Sequence, residues 1–372
     1  MIRQKWTRAW CCVLLCVIST SLLPVNPVFG AVQPAVVEDG PARVTADAAV
    51  LMDVATGDVL FGKQENKRRP PASTTKIMTA ILGFELGRPD EVVTVSQKAA
   101  AVGESTIHLD PGEKITLYEL ITGALVRSGN DACVAIAEDI SGTEEQFVKL
   151  MNRKALALGA QNTHFENTNG LPLKDHYSTA YDLALMARHG LQIPQFASIT
   201  RQRETKIHFL DPYVLMDLRN TNKLLWNYPY ADGVKTGTTT AAGKCLVASA
   251  TKEGRQLLAV VLNAPDRFGD AKKLLEWGFE KTETVRLVNP REAIAEFPST
   301  YKPVPVFSDD SIDVSIPKAK RMNLQTRVVW EKPANFSVRA GERVGRLEVW
   351  LGDQKYYSVP LHSERKGMLK GS

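Results

Sequence analysis

The stretch Pro71–Ala80, PASTTKIMTA, places a serine three residues ahead of a lysine just where an apolar run begins. The residues before it, RRPPA, are extended and turn-like, as adjacent prolines require. KIMTAILGFEL then reads as a helix by period and length. A helix starting near Ser73 puts residues i and i+3 on one face, so Lys76 stands beside the Ser73 hydroxyl. A hydroxyl is a poor nucleophile until a neighbour takes its proton. A lysine amine does this once burial or nearby cations lower its pKa. The N–H groups of a helix start also suit a developing oxyanion. Taken alone, the same spacing describes a helix cap with a solvated lysine.

Two further clusters decide between these readings. Ser128-Gly129-Asn130 lies between two helical segments. It is either a capped helix break or a second hydroxyl for proton relay, with an amide to hold a substrate carbonyl or the lysine. Lys235-Thr236-Gly237 follows the Asp232-Gly233 turn on a strand-like run. It is either a lysine on an exposed strand or a carboxylate-binding edge. There Gly237 leaves the backbone open to a ligand, and the Thr238 N–H supplies the other half of an oxyanion hole.

The surrounding pattern is α+β. AAVLMDVATGDVLFGK reads as a hairpin about Thr56-Gly57. KITLYELITGALV reads as a helix with Leu117, Leu120, Ile121, Ala124 and Leu125 on one stripe. DACVAIAEDI restarts a helix, with Asn130 or Asp131 as its cap. TEEQFVKLMNRKALALG and YDLALMARHGL are further helices, the first ended by Gly159. ADGVKTGTT, KCLVASAT and RQLLAVVLNA read as an antiparallel meander, closed by the amphipathic helix DAKKLLEWGFEK. From about Val285, IDVSIPK, LQTRVVWEK, NFSVRAG and VGRLEVWLGDQKYYSVPL read as short strands of a small all-β domain, with a turn at Gly352-Asp353.

The chain has 372 residues, enough for two domains, and an ordinary globular composition with 44% apolar and 23% charged residues. Its first thirty residues carry Arg3, Lys5 and Arg8, then the apolar CCVLLCVISTSLL, then small residues up to Gly30. That order is a secretory signal peptide. The alternative is one membrane-spanning helix, for which about 20 apolar residues are needed and the uninterrupted run is short. Removing the three cations of residues 1–30 from the 46 in the chain leaves 43 against 41 anions. Such a balance offers nothing to nucleic acid. Cys11, Cys12 and Cys16 leave with the signal, so Cys133 and Cys245 remain as two buried free thiols, a single bridge between them being the alternative. The six histidines show no metal-ligand spacing, and His108 and His176 read as structural or solvent-facing.

The three clusters occur in the order S-x-x-K, S-x-N, K-T-G, the set of β-lactamases and penicillin-binding proteins. With SGNDACVAIAE, NTNGLPLKDHYSTAYDLALMA, DGVKTGTTTAAGKCLVASAT and LLEWGFE, the chain from about Ala48 to Leu361 resembles the low-molecular-mass penicillin-binding proteins of the D-alanyl-D-alanine carboxypeptidase family. The resemblance implies a transpeptidase-like domain, an antiparallel sheet flanked by helices with a helical subdomain, over residues 44–284. It implies an all-β domain over 285–361, after a signal peptide (1–30) and a leader (31–43), and before a tail (362–372). It implies Ser73 as acylated nucleophile, Lys76 as base, and Ser128 and Asn130 as proton relay and positioning groups. Lys235, Thr236 and Gly237 would hold the terminal carboxylate, and the N–H groups of Ser73 and Thr238 would form the oxyanion hole. The implied partners are the D-Ala-D-Ala end of a peptidoglycan stem peptide and β-lactam antibiotics, outside the cytoplasm and with no metal or cofactor.

One feature points elsewhere. Glu166 and Asn169 form an E-x-x-N downstream of S-x-N, a pair that in class A β-lactamases activates the deacylating water. A β-lactamase or a D,D-endopeptidase on the same fold is therefore the alternative function, and a catalytically silent wall-binding protein a third. The chain also ends LHSERKGMLKGS, in which after Leu361 only Met368 and Leu369 are apolar. An amphipathic anchor helix, as many family members carry, does not form in this span. Membrane attachment is left open by the sequence.

Overall fold

The computed structural model describes residues 40–41, 43–289 and 292–364. The signal peptide, most of the leader, Cys11, Cys12, Cys16 and the tail from residue 365 lie outside the described residues.

A five-stranded antiparallel sheet forms the centre, in the order Val59–Lys63, Ala48–Asp53, Arg255–Leu262, Gly243–Lys252, Ala231–Thr239. Its strands are apolar on both faces because both are covered. Alternation sorts them: Val50, Met52, Leu258 and Val260 join the core with Ile77, Leu183 and Met186. Leu51, Leu257, Ala259 and Val261 join a second core with Leu274 and Leu275 of the helix Arg267–Lys281. Each fully buried side chain of this kind contributes ~1.5–3 kcal/mol. The helix Lys76–Leu86 is buried along its first eight residues, which is why its sequence is apolar around most of its circumference.

Helices Leu117–Thr122, Asn130–Ser141, Glu144–Ala157 and Ala180–Leu191 build the helical part. Two details differ from the sequence pattern. Lys114–Thr116 is a strand of a small four-stranded sheet with Val92–Thr94, Glu204–Asp211 and Tyr213–Arg219, and the helix begins only at Leu117, capped by the Thr116 side chain. The threonine hydroxyl takes the Glu119 N–H, and a β-branched residue sits comfortably in the strand before it. The N-cap of Asn130–Ser141 is Gly129, with no side-chain cap, because the Asn130 and Asp131 side chains are committed elsewhere.

The C-terminal part is all β, as expected. Thr282–Val288 pairs with Ile312–Pro317. A five-stranded antiparallel sheet runs in the order Ala295–Phe297, Val304–Phe307, Gln354–Ser363, Arg343–Leu351, Leu324–Trp330. Phe297, Val314, Ile316, Leu347 and Leu361 form its core. The NFSVRAG segment forms no strand; it is a turn and extended connection leading to Arg343–Leu351.

Candidate active site

Ser73 lies in a single 3-10 turn, Ala72–Thr75, that runs directly into the helix Lys76–Leu86. The turn is held from two sides by glycine. A Cβ on Gly237 would lie 3.0 Å from both the Pro71 carbonyl oxygen and the Ser73 nitrogen. A Cβ on Gly170, at φ +90°, would lie 1.9 Å from the Ala72 carbonyl oxygen. The openness of Gly237 thus lets the Ser73 turn press close against the edge strand. Between the two glycines, Ala72 is forced to φ +49°. A left-handed alanine costs ~1–3 kcal/mol and persists only where surrounding packing dictates it.

Lys76 is fully buried and its Nζ lies 3.0 Å from Ser73 Oγ. It also donates to Asn130 Oδ1 at 2.7 Å and to the Asn169 carbonyl at 2.7 Å. Burial lowers its pKa to about 8, against the pull of Cys133, Asp131 and Glu104. A neutral amine has two N–H donors and one lone pair. The two carbonyl oxygens take the donors, so the lone pair is left for the Ser73 hydroxyl. Asn130 is oriented in turn by its Nδ2, which donates to the Gly103 carbonyl at 2.9 Å. Buried Asp131 accepts from the backbone N–H groups of Ile107 and Leu109, fixing the loop that carries Gly103. Ser128 sits buried at the end of a π-turn, Gly123–Arg127, with φ +72°.

Lys235 is buried on the edge strand Ala231–Thr239, and burial, reinforced by the charge of Lys76, drives its pKa well down. Its Nζ donates to the Thr236 carbonyl at 3.0 Å. Thr236 Oγ1 lies 2.6 Å from Thr221 Oγ1. Because this strand closes the sheet, alternate backbone groups have no ladder partner, and the strand lies against the Ser73 turn at Gly237.

Sequence reading missed Arg267. At the start of the last helix of this half, its Nη1 donates to the Gly237 carbonyl at 2.9 Å and to Thr238 Oγ1 at 2.7 Å, bracing the edge strand. Its Nε is buried without a partner. Only its place in the first turn of a helix, where the helix dipole disfavours a cation, could have flagged it. Asn169 contributes its backbone carbonyl rather than its side chain, whose Oδ1 accepts from the Leu171 N–H. Glu166 turns away, its Oε2 accepting the Asp175 N–H. His176 is buried, accepts the Glu166 N–H at Nδ1 and therefore donates from Nε2 to Thr75 Oγ1, and burial lowers its pKa to about 4. His108 is exposed. Cys133 and Cys245 are both buried and free, and among the described residues no group of three or more His, Cys, Asp or Glu could hold a metal.

A helix-covered antiparallel sheet with a buried lysine on a serine at its edge defines a serine hydrolase of the penicillin-recognising class. The chain matches the family described as D-alanyl-D-alanine carboxypeptidase over residues 35–266, and the family described as penicillin-binding protein 5, C-terminal domain, over residues 292–366. It belongs to the D-alanyl-D-alanine carboxypeptidase family. It is 38% identical to D-alanyl-D-alanine carboxypeptidase DacF of Bacillus subtilis over 317 residues, covering 81% of this chain and 80% of the relative. To DacA of Escherichia coli it is 34% identical, covering 87% and 83%. The structure of penicillin binding protein 5 from Haemophilus influenzae superposes with a TM-score of 0.79 at 30% identity, covering 88% of this chain and 98% of that one.

Proposed function

We propose that the chain is an exported serine D-alanyl-D-alanine carboxypeptidase that shortens peptidoglycan pentapeptide stems through an ester on Ser73 and is acylated by penicillins. The observation that carries this is the amine of Lys76 within 3.0 Å of Ser73 Oγ, with its other contacts to the carbonyls of Asn130 and Asn169. Lys76 takes the hydroxyl proton as Oγ attacks the penultimate carbonyl. The N–H groups of Ser73 and Thr238 receive the oxyanion. The tetrahedral centre then collapses, the peptide C–N bond breaks, and the proton passes by way of Ser128 to the departing amine of D-alanine. Water attacks the ester and gives its proton to Lys76; the C–Oγ bond breaks, Lys76 returns that proton to Ser73 Oγ, and the shortened stem leaves.

Lys235, Thr236 and Gly237 line the groove where the terminal carboxylate lies, and Asn130 holds the lysine. The buried, unpartnered Nε of Arg267 adds positive charge at that end of the edge strand. The orientation of Glu166 toward Asp175 supports a long-lived penicillin ester over rapid β-lactam turnover. We assign the catalytic domain to residues 44–284, and residues 285–361 to a β domain that serves as spacer or docking platform. The signal-like residues 1–30 support action outside the cytoplasm.

The test is incubation with a D-Ala-D-Ala pentapeptide and mass detection, beside labelling by fluorescent penicillin. Loss of one D-alanine, together with label that disappears in Ser73→Ala, is the expected result. Shortening of cross-linked dimers instead would mark an endopeptidase, and rapid nitrocefin turnover a β-lactamase. A wild-type chain that takes no label and releases no D-alanine sinks the reading.

A further inference from the structure

A cavity of about 750 Å³ opens beside the catalytic groove, lined by Arg127, Asp217, Arg219, Thr221, Lys223 and Trp226, among others. Its lining borders the site at two points: Arg127 precedes Ser128 in the chain, and Thr221 meets Thr236 hydroxyl to hydroxyl at 2.6 Å. Its charge is one-sided, with three cations against the single carboxylate of Asp217. That carboxylate is already engaged by Lys206 at 3.2 Å. Arg219 has a loose contact with Glu204 at 3.6 Å and stacks its guanidinium 5.1 Å from the centre of the Trp226 ring. Among the described residues no carboxylate pairs with Arg127 or Lys223.

The strand Ala231–Thr239 gives the cavity a direction. This step rests on the proposed function, in which the reacting carbonyl faces Thr238 and the terminal carboxylate lies along Lys235–Gly237. Moving from Thr238 to Thr236 is then moving from the scissile bond toward the departing residue, and the contact of Thr236 with Thr221 leads out of the groove into the basic cavity. An alanine methyl occupies only a small fraction of such a space.

We propose that this cavity is a leaving-residue pocket that accepts terminal D-amino acids larger than alanine and selects those with an acidic side chain. Arg219, held flat by Trp226, and Lys223 supply the charge that such a side chain meets, while its α-carboxylate keeps the place of the D-alanine carboxylate. The chemistry at Ser73 is unaltered: the C–N bond to the larger residue breaks and water supplies the hydroxyl to the acyl carbon.

Two pentapeptides that end in D-Ala-D-Glu and D-Ala-D-Lys have similar size and opposite side-chain charge. Their affinities are measured by calorimetry on the full chain carrying Ser73→Ala, which holds them without turnover. The D-Glu peptide should bind about tenfold more tightly, the scale set by a few partly exposed ion pairs. Adding Arg219→Glu and Lys223→Glu should reverse the order. Equal affinities, or a preference that survives the charge reversal, overturn the pocket. Release of D-alanine from the ordinary pentapeptide by the wild-type chain is a separate readout. Its absence removes the carboxypeptidase reading, while the two affinities still decide the pocket.

Discussion

In the proposed reaction one side chain, Lys76, carries the proton transfers. Its amine is useful only with its lone pair free, and burial sets its pKa to about 8. Below that value the amine carries a third proton and has no lone pair for Ser73; above it the amine is free to act as the base that the proposed mechanism requires. Acylation by a penicillin should therefore rise about tenfold per pH unit from about pH 6 and level off above about pH 8. Stopped-flow labelling across that range checks this, and a flat rate down to acid pH would show that another group takes the proton. Replacing the amine is the sharper test. Lys76→Ala should abolish labelling of Ser73, and a variant labelled at the wild-type rate would remove lysine from the mechanism. The spacing of Ser73 and Lys76 made this pair legible in the sequence. The Asn169 carbonyl that completes the lysine's shell was not, because any residue carries a carbonyl and only the long-range course of the chain brings this one within 2.7 Å.

Three segments distant in sequence press on the Ser73 turn, and two of them do so through glycine. Gly237 belongs to the edge strand and Gly170 to the loop that carries Asn169. At Gly237 an added methyl meets backbone at 3.0 Å, so the strand or the turn must give by a few tenths of an ångström. Gly237→Ala should lower the acylation rate by roughly tenfold to a hundredfold, since small misplacements of reacting groups cost up to ~10²-fold. The thermal midpoint, measured alongside, should move little. An unchanged acylation rate would mean that the turn tolerates displacement. Gly170 offers no such latitude, because a side chain there meets both a left-handed φ and the Ala72 carbonyl. At this scale the sequence told much about elements and little about contacts. The helix from Lys76 and the strand Ala231–Thr239 fall where period and turn residues put them. The strand Lys114–Thr116 reads as helix in the sequence because Leu117, Leu120 and Ile121 set a helical stripe and no breaker separates the preceding residues from it. Its pairing with Val92–Thr94 and Glu204–Asp211 lies outside any local window. Arg267 was invisible for the same reason: its partners are 22 to 30 residues away on other strands.

The two halves of the molecule meet across a buried polar seam, and its electrostatics set a stability that depends on pH. Asp53 accepts from Arg255 Nε and from Ser315 Oγ, each at 2.8 Å, and Asp58 accepts the Ser315 N–H at 2.6 Å. Ser315 belongs to the strand Ile312–Pro317 of the C-terminal half, whereas both carboxylates belong to the hairpin that opens the catalytic half. Burial, and then the charge of Asp53, raise the pKa of Asp58 from 3.8 to about 6, although the bonds from Ser315 and Thr56 oppose the shift. The unfolded chain releases this proton near the ordinary value, so between that value and about 6 the folded state holds more protons. Stability from this group therefore declines as pH rises through that window, and above about pH 6 the full cost remains, about 3 kcal/mol at ~1.4 kcal/mol per unit. Asn at this position keeps an oxygen for the Ser315 N–H and carries no charge to desolvate. Asp58→Asn should match the wild type near about pH 4 and exceed it by about 2–3 kcal/mol at neutral pH, as read by chemical denaturation at a series of pH values. If the difference between the two chains is the same at every pH, the folded protein does not hold this carboxyl protonated, and the seam is bound by its hydrogen bonds alone.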